Sequence, residues 1–183
     1  MMGRTYVLVA IAAAVVVGLE AVGRGAADTA AQEGTPVPGS VEAVAQRWYD
    51  GFNSGDLSII DEVLAPNWAD YPPPPGPGTD VENYKQVVLG TRAAFPDIRF
   101  ETQDFIVDGD RVAVRSIATG THEGEFLGIP PTGRAIEFQT IDIHRVVDGQ
   151  IVETYHVEDL LSVLIQVGGF SPAVSPAAAT PTS

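Results

Sequence analysis

Cysteine is absent from this 183-residue chain, so no disulfide can staple it, no thiol can attack a substrate, and no cysteine can ligate a metal or carry a lipid tether. Stability must come from an apolar core, which about 130 residues can supply. Cations are scarce as well: 10 Lys and Arg stand against 24 Asp and Glu, for a formal net charge of −14. So acidic a surface repels phosphate backbones and anionic headgroups, which argues against nucleic acid as a partner and for a small apolar or neutral ligand. Long hydrophobic runs are missing too. The longest, Tyr6 to Leu19, is short for spanning roughly 30 Å of hydrocarbon, and Glu20 interrupts its continuation.

Arg4 precedes that run and the small residues Gly25-Ala26-Ala27 follow it. Residues 1–27 therefore read as a secretory signal peptide, with an uncleaved N-terminal membrane anchor as the alternative. The expected location is secreted or extracytoplasmic, off the membrane once the signal is cleaved. Residues 28–40 and 168–183 are rich in Ala, Pro, Thr, Ser and Gly without apolar periodicity, and read as a flexible linker and tail. One domain remains, residues 41–167.

Within it, Val41, Ala45, Trp48 and Phe52 recur at helical spacing behind Ser40, and Asn53-Ser54-Gly55 ends the run. Leu57 to Leu64 reads as a second short helix stopped by Ala65-Pro66. Tyr71 to Gly78, with five prolines, reads as a rigid loop. A third helix runs behind Thr79 or Asp80 to about Phe95. From Ile98 the period falls to two, with hairpin signals at Asp108-Gly109 and Asp148-Gly149, a last strand over Ile151–Val157, and a terminal helix over Asp159–Val167. Helices on one face of a mainly antiparallel sheet make an α+β domain.

Only three histidines occur, and all lie between residues 122 and 156. Ionisable groups inside apolar alternation are hydrogen-bonded, paired or kept for chemistry. Val112, Val114, Ser116, Ala118, Gly120 and His122 share one parity, and small residues leave space towards its end. Asp142 and His156 are even-numbered as well and reach the same space, provided that no bulge flips the register. His144, three residues from the Asp148-Gly149 turn, is expected to be partly exposed. Trp48, Phe52, Trp68, Tyr84 and Phe126 are the candidate substrate-binding residues, as pocket lining. Two imidazoles and a carboxylate, from His122, His156 and Asp142, have the chemistry to ligate zinc or iron, but no close-spaced motif supports a metal site.

Four stretches together carry a resemblance to a known family: Phe52-Asn53-Ser54-Gly55-Asp56 with Leu64-Ala65-Pro66-Asn67; the loop from Gly120 through His122, Gly124, Phe126 and Gly128-Ile129-Pro130-Pro131-Thr132-Gly133-Arg134; Arg145 with Asp148-Gly149 and Ile151; and Asp159 with Leu164-Ile165-Gln166-Val167-Gly168. The chain resembles the SnoaL-like polyketide cyclases, or ester cyclases, of the NTF2-like superfamily. The resemblance implies an NTF2-like cone: a curved sheet with about three helices on its concave face and a short C-terminal helix, often paired as a homodimer through the outer sheet face, where Ile141 and Ile143 fall. It also implies a cofactor-free enzyme closing a ring by intramolecular aldol condensation. In those cyclases an acid–base aspartate sits near the position of His156, and histidines sit at or near the positions of His122 and Asp142. Here the chemical types are exchanged.

An aldol or enolisation step needs a base beside a carbonyl and a donor for the developing oxyanion. The expected catalytic set is His156 as base, Asp142 as orienting or second carboxylate, and His122 as donor. Each has a structural alternative: His122 ordering the loop from Gly124 to Arg134, Asp142 as a buried partner of Arg145 or His144, and His156 as a satisfied capping residue. Two functions follow. One is a lyase, isomerase or cyclase acting on a small apolar carbonyl compound, and the other is a non-catalytic ligand-binding module on the same fold.

Overall fold

Ser40 opens α1 (Val41–Ser54) by accepting the Ala43 amide at 3.2 Å, and Gly55 closes it in the left-handed conformation at φ +72°. Asp56 then caps α2 (Leu57–Val63). Caps of this kind stabilise a helix by about 1 kcal/mol each. The Asn53 side chain ties α1 to the sheet, donating to the Phe100 carbonyl at 2.9 Å and accepting the Phe100 amide at 2.7 Å. The computed structural model describes residues 36–73 and 78–171. The signal-peptide reading of residues 1–27, most of the linker and most of the tail lie outside the described residues, as do residues 74–77 of the proline-rich loop.

The segment after α2 departs from expectation. In place of a helix stop leading into a loop, the chain forms β1 (Leu64–Tyr71). Pro66 is tolerated there because β1 is an edge strand, and its parallel pairing with β5 jumps from Leu64↔Ile151 to Ala69↔Glu153 across an irregularity. Trp68 and Asp70 share a parity and are both buried. The remaining elements are α3 (Val81–Ala94), β2 (Arg99–Asp108), β3 (Arg111–Thr121), β4 (Ala135–Val147), β5 (Gln150–Glu158) and α4 (Leu160–Val167). The sheet order is β1-β5-β4-β3-β2, with every pair except β1–β5 antiparallel. The class is α+β. Among the described residues, no helix is long and apolar enough to cross a membrane.

Register decides which side chains meet. β3 and β4 pair without interruption from Arg111↔Arg145 to Thr121↔Ala135. All even-numbered β4 residues from Ile136 to Val146 are therefore buried, and the row reads apolar, then Thr140, Asp142 and His144, then apolar again. The flanking strands are bulged. β2 slips between Thr102 and Asp104, which lets Phe100 and Phe105 both pack on the core. β5 slips where Arg145↔Glu153 gives way to Val146↔Ile151, so Ile151 and Thr154 are both buried despite opposite parity. Asp148 at φ +51° and Gly149 at φ +79° form the tight β4–β5 turn that such a hairpin favours.

The loop after β3 is held against the C-terminal end of α3. The Glu123 and Gly124 amides both donate to the Ala94 carbonyl at 2.9 Å, and a Cβ on Gly124 would stand 2.2 Å from the Ala93 oxygen. Only glycine permits this approach. Gly124→Ala should therefore destabilise the fold by about 3 kcal/mol through forced backbone separation, read as a lower midpoint in urea; an unchanged midpoint would contradict the packing account.

Candidate active site

Between the helices and the inner face of the sheet lies a cavity of about 220 Å³. Trp48, Tyr49 and Phe52 of α1, Tyr84, Val87 and Thr91 of α3, and Phe95, Ile98, Phe100, Phe126 and Phe138 give it mostly apolar walls, with Leu127, Leu160 and Val163 also in the lining. One part is polar, formed by Thr140, Asp142, His156, Glu158 and Asp70. Asp142 and His156 are direct cross-strand partners on β4 and β5.

Asp142 is almost fully buried, and its hydrogen bonds converge on one oxygen. Tyr49 donates its hydroxyl to Oδ2 at 2.5 Å, and Thr140 donates to the same atom at 3.2 Å. Thr140 Oγ1 lies 2.6 Å from Ser116 Oγ, and because the Thr140 proton goes to Asp142, Ser116 is the donor in that contact. Oδ1 is the oxygen left to meet a ligand. Burial pushes the Asp142 carboxyl up to about 6, against the lowering effect of the Tyr49 hydrogen bond and the His156 charge. The Tyr49 hydroxyl is pushed well above its ordinary value by burial and by the carboxylate beside it, so it stays a donor.

His156 lies between carboxylates. Its Nδ1 is 2.6 Å from Glu158 Oε1, and its Nε2 is 3.0 Å from the Pro72 carbonyl and 3.3 Å from Asp70 Oδ2. A carbonyl oxygen has no proton to offer, so Nε2 donates, and the Glu158 carboxylate draws a proton onto Nδ1. Burial opposes a charge here, but hydrogen bonds and charge from Asp70 and Glu158 outweigh it and carry the imidazolium up to about 11. At neutral pH the ring has no lone pair with which to act as a base. The role of base expected of His156 does not fit this geometry.

The other expected residues divide. Trp48, Phe52, Tyr84 and Phe126 line the cavity. Trp68 does not: it is buried edge-on to Tyr84 and donates its indole N–H to Thr154 Oγ1 at 2.9 Å. His122 is also outside the lining. It is fully buried under Phe95, at a ring separation of 5.3 Å, with Nδ1 3.0 Å from Thr132 Oγ1, and its carbonyl accepts the Thr132 and Gly133 amides. That is the position of a loop-ordering residue.

His144, expected to be partly exposed, is instead fully buried, because the unbroken β3–β4 register turns it inward with Asp142. Its Nδ1 is 3.0 Å from Thr154 Oγ1. Thr154 also accepts from Trp68, the His144 Nε2 atom is buried without a hydrogen-bond partner, and burial lowers the His144 pKa to about 3, which leaves the ring neutral. Neither partner suggested for Asp142 touches it. His144 is bound to Thr154, and Arg145 faces outward to Asp110 at 2.8 Å.

Tyr49, Asp70, Glu158 and Leu127 were not foreseen as site residues. Tyr49 follows Ala45 by one helical turn, and Glu158 follows His156 at strand spacing, so periodicity held both signals; Asp70 was hidden with β1. Leu127 and Gly128, at φ +50° and +79°, are the central residues of a tight turn in which Phe126 and Ile129 exchange backbone hydrogen bonds. Leucine in the left-handed region costs about 1 kcal/mol or more. Among the described residues, no group of three or more His, Asp or Glu side chains is arranged to hold a metal ion.

The raised carboxyl of Asp142 has a thermodynamic consequence. A group bound more tightly to its proton in the folded state adds stability below its unfolded pKa of 3.8, and that contribution disappears as pH rises through about 6. A shift of about two units corresponds to about 3 kcal/mol. Asp142→Asn keeps an acceptor for Tyr49 and Thr140 and removes the buried charge. Its Tm should exceed that of the unmodified chain at pH 8, with the gap closing by pH 4; a lower Tm at pH 8 would contradict the burial account.

The geometry can be set beside known proteins. The family model for SnoaL-like polyketide cyclases matches residues 42–167. The nogalonic acid methyl ester cyclase of Streptomyces nogalater is 30% identical over 122 residues, covering 64% of this chain and 89% of that protein. Among solved structures, IdmH, a candidate polyketide cyclase from Streptomyces antibioticus, is 37% identical with a TM-score of 0.64, over 70% of this chain and 99% of its own. A candidate polyketide cyclase from Bacillus cereus is 32% identical with a TM-score of 0.64, over 72% and 82%. An aromatic cavity with a carboxylate and an imidazolium at one end thus occurs on the fold that such proteins share, and the chain belongs to the SnoaL-like polyketide cyclase family.

Proposed function

We propose that the protein is a cofactor-free acid–base catalyst that closes a ring, or moves a double bond, in a small apolar carbonyl compound. The observation that carries this is the buried carboxylate of Asp142, with one oxygen saturated and the other left to the cavity. With a pKa of about 6 it is mostly ionised at neutral pH, yet a far better base than an exposed aspartate. Asp142 Oδ1 takes a proton from the carbon next to a carbonyl, giving an enolate. The enolate carbon then attacks a second carbonyl in the same molecule, forming the carbon–carbon bond. The resulting alkoxide recovers the proton from Asp142, and the carboxylate is regenerated.

His156 has a different task on this reading. Its charge, held by Asp70 and Glu158 and set across the strand pair from Asp142, favours the anionic intermediate without any proton changing hands. The alternative of a non-catalytic binding module rests on the same residue, since both its ring nitrogens are already occupied. Proton exchange separates the two. In D₂O with aryl β-keto esters, NMR should show deuterium entering the carbon between the carbonyls faster with protein than without. That rate should rise through about pH 6 and level off above it, and Asp142→Asn should lower it by roughly 10²–10⁴-fold. Exchange at an undiminished rate in the variant would remove Asp142 from the mechanism, and ligand binding with no exchange in the unmodified protein would favour the module.

We also propose a homodimer through the outer sheet face. Ile141 pairs across strands with Val157, Ile143 pairs with Tyr155, and Tyr71 stacks on Tyr155 at 4.9 Å, making one exposed apolar patch from β4 to β1. Two strongly acidic chains can approach only where charge is sparse, and a patch that crosses the middle of a sheet can meet its own copy about a twofold axis. Light scattering should give a dimer mass, and Val157→Lys should give a monomer. A monomer mass for the unmodified protein at high concentration would end this proposal.

A further inference from the structure

Leu127 combines three features that a turn residue does not need. It lies in the left-handed region, it is 66% exposed, and it nevertheless lines the cavity. Asparagine or glycine would satisfy the same backbone conformation without strain, and asparagine before Gly128 would form the favoured pair for such a turn. The turn is not free to relax. Gly124 is seated against Ala93 and Ala94 on one side, and on the other Ile129 packs so closely against Gly169 that a Cβ there would lie 2.1 Å from Ile129 Cδ1. Leu127 is thus held rigidly at the rim, with Leu160, another partly exposed lining residue, from α4.

The size of the cavity gives this rim a use. At about 220 Å³ it is small beside the roughly 300–1,000 Å³ usual for small-molecule sites, and a ligand of ordinary size that fills it extends to its rim. Any part left outside passes the rim. We infer that Leu127, with Leu160, forms an apolar lip that grips an alkyl or aryl substituent of the ligand projecting from the cavity. This rests on the reading of the cavity as the ligand site. It adds that the ligand is larger than the cavity and apolar at its outer end, and that Leu127 selects for that end.

The test uses N-phenyl-1-naphthylamine, a neutral fluorophore that joins a naphthyl and a phenyl group, titrated against the unmodified protein and two variants, with Tm measured for each. Leu127→Asn should bind the probe roughly threefold to tenfold more weakly, with Tm unchanged or raised by about 3 °C as the strain is relieved. Leu127→Met, which keeps an apolar side chain, should keep the affinity. Equal affinity for Leu127→Asn and the unmodified chain overturns the lip and leaves the cavity reading standing. A fall in Tm for Leu127→Asn overturns it as well, by showing that the leucine serves the fold. Failure of the unmodified protein to bind the probe overturns the apolar ligand site and the lip with it.

Discussion

The hydrogen bond from Tyr49 to Asp142 is the contact around which the interior is organised. A carboxylate taken out of water loses several kcal/mol of solvation unless donors replace it, and here the donors come from two directions. Tyr49 reaches down from α1, while Thr140, backed by Ser116, approaches along the sheet. α1 must therefore sit at one height over β4, and the caps at Ser40 and Gly55 and the Asn53 bridge to Phe100 keep it there. The cavity is what remains when a helix is held at that height over a row whose centre is polar and whose ends are filled by Phe138 and Val146.

The cross-strand pair of Asp142 and His156 takes its electrostatics from what surrounds each strand. On β5 the imidazole meets Glu158 two residues along its own strand and Asp70 from the neighbouring β1, so it becomes a fixed cation. On β4 the carboxylate is hydrogen-bonded by hydroxyls alone, and burial raises its pKa against the lowering effect of those bonds and of the His156 charge. Each group takes its character from its neighbours, so near neutral pH the carboxylate on β4 offers a lone pair and the imidazolium on β5 does not. A base at His156, the role that the family resemblance implies for its position, does not fit a ring held between the Glu158 and Asp70 carboxylates.

The sequence was legible where a single physical rule acted alone. β3 and β4 alternate without a bulge, so parity was enough to turn Asp142 inward, and His156 joins it because the β5 slip lies nearer the turn, before the stretch that pairs Asp142 with His156. Helix starts followed from Ser40, Asp80 and Asp159, each of which accepts an amide from the first turn. Where two rules competed, the reading failed. Pro66 argued against a strand, but edge position and an irregular ladder removed the conflict, and Asp70 went unseen with β1. Distance from a turn argued for an exposed His144, but register governs orientation and turned it inward. The small residues before His122 suggested space, yet Ile98 and Phe95 close over Gly120, and the cavity opens farther along the sheet.

Three departures from local rules meet at the cavity. A carboxylate buried beside hydroxyls, an imidazolium enclosed by acids and a leucine held at positive φ all border one cavity, on β4, β5 and the loop after β3. Elsewhere helices are capped, the β4–β5 turn uses Asp-Gly, and buried His144 is neutral, although its Nε2 and that of His122 are buried without a partner. Folding alone would favour removing each of the three exceptions, since an amide, a neutral side chain and an Asn-Gly turn would all be less strained or better solvated. Their meeting at one place therefore marks a constraint other than stability. The apolar patch of Ile141, Ile143, Tyr155 and Val157 on the outer sheet face has no buried charge and no residue at positive φ, so it carries no such mark.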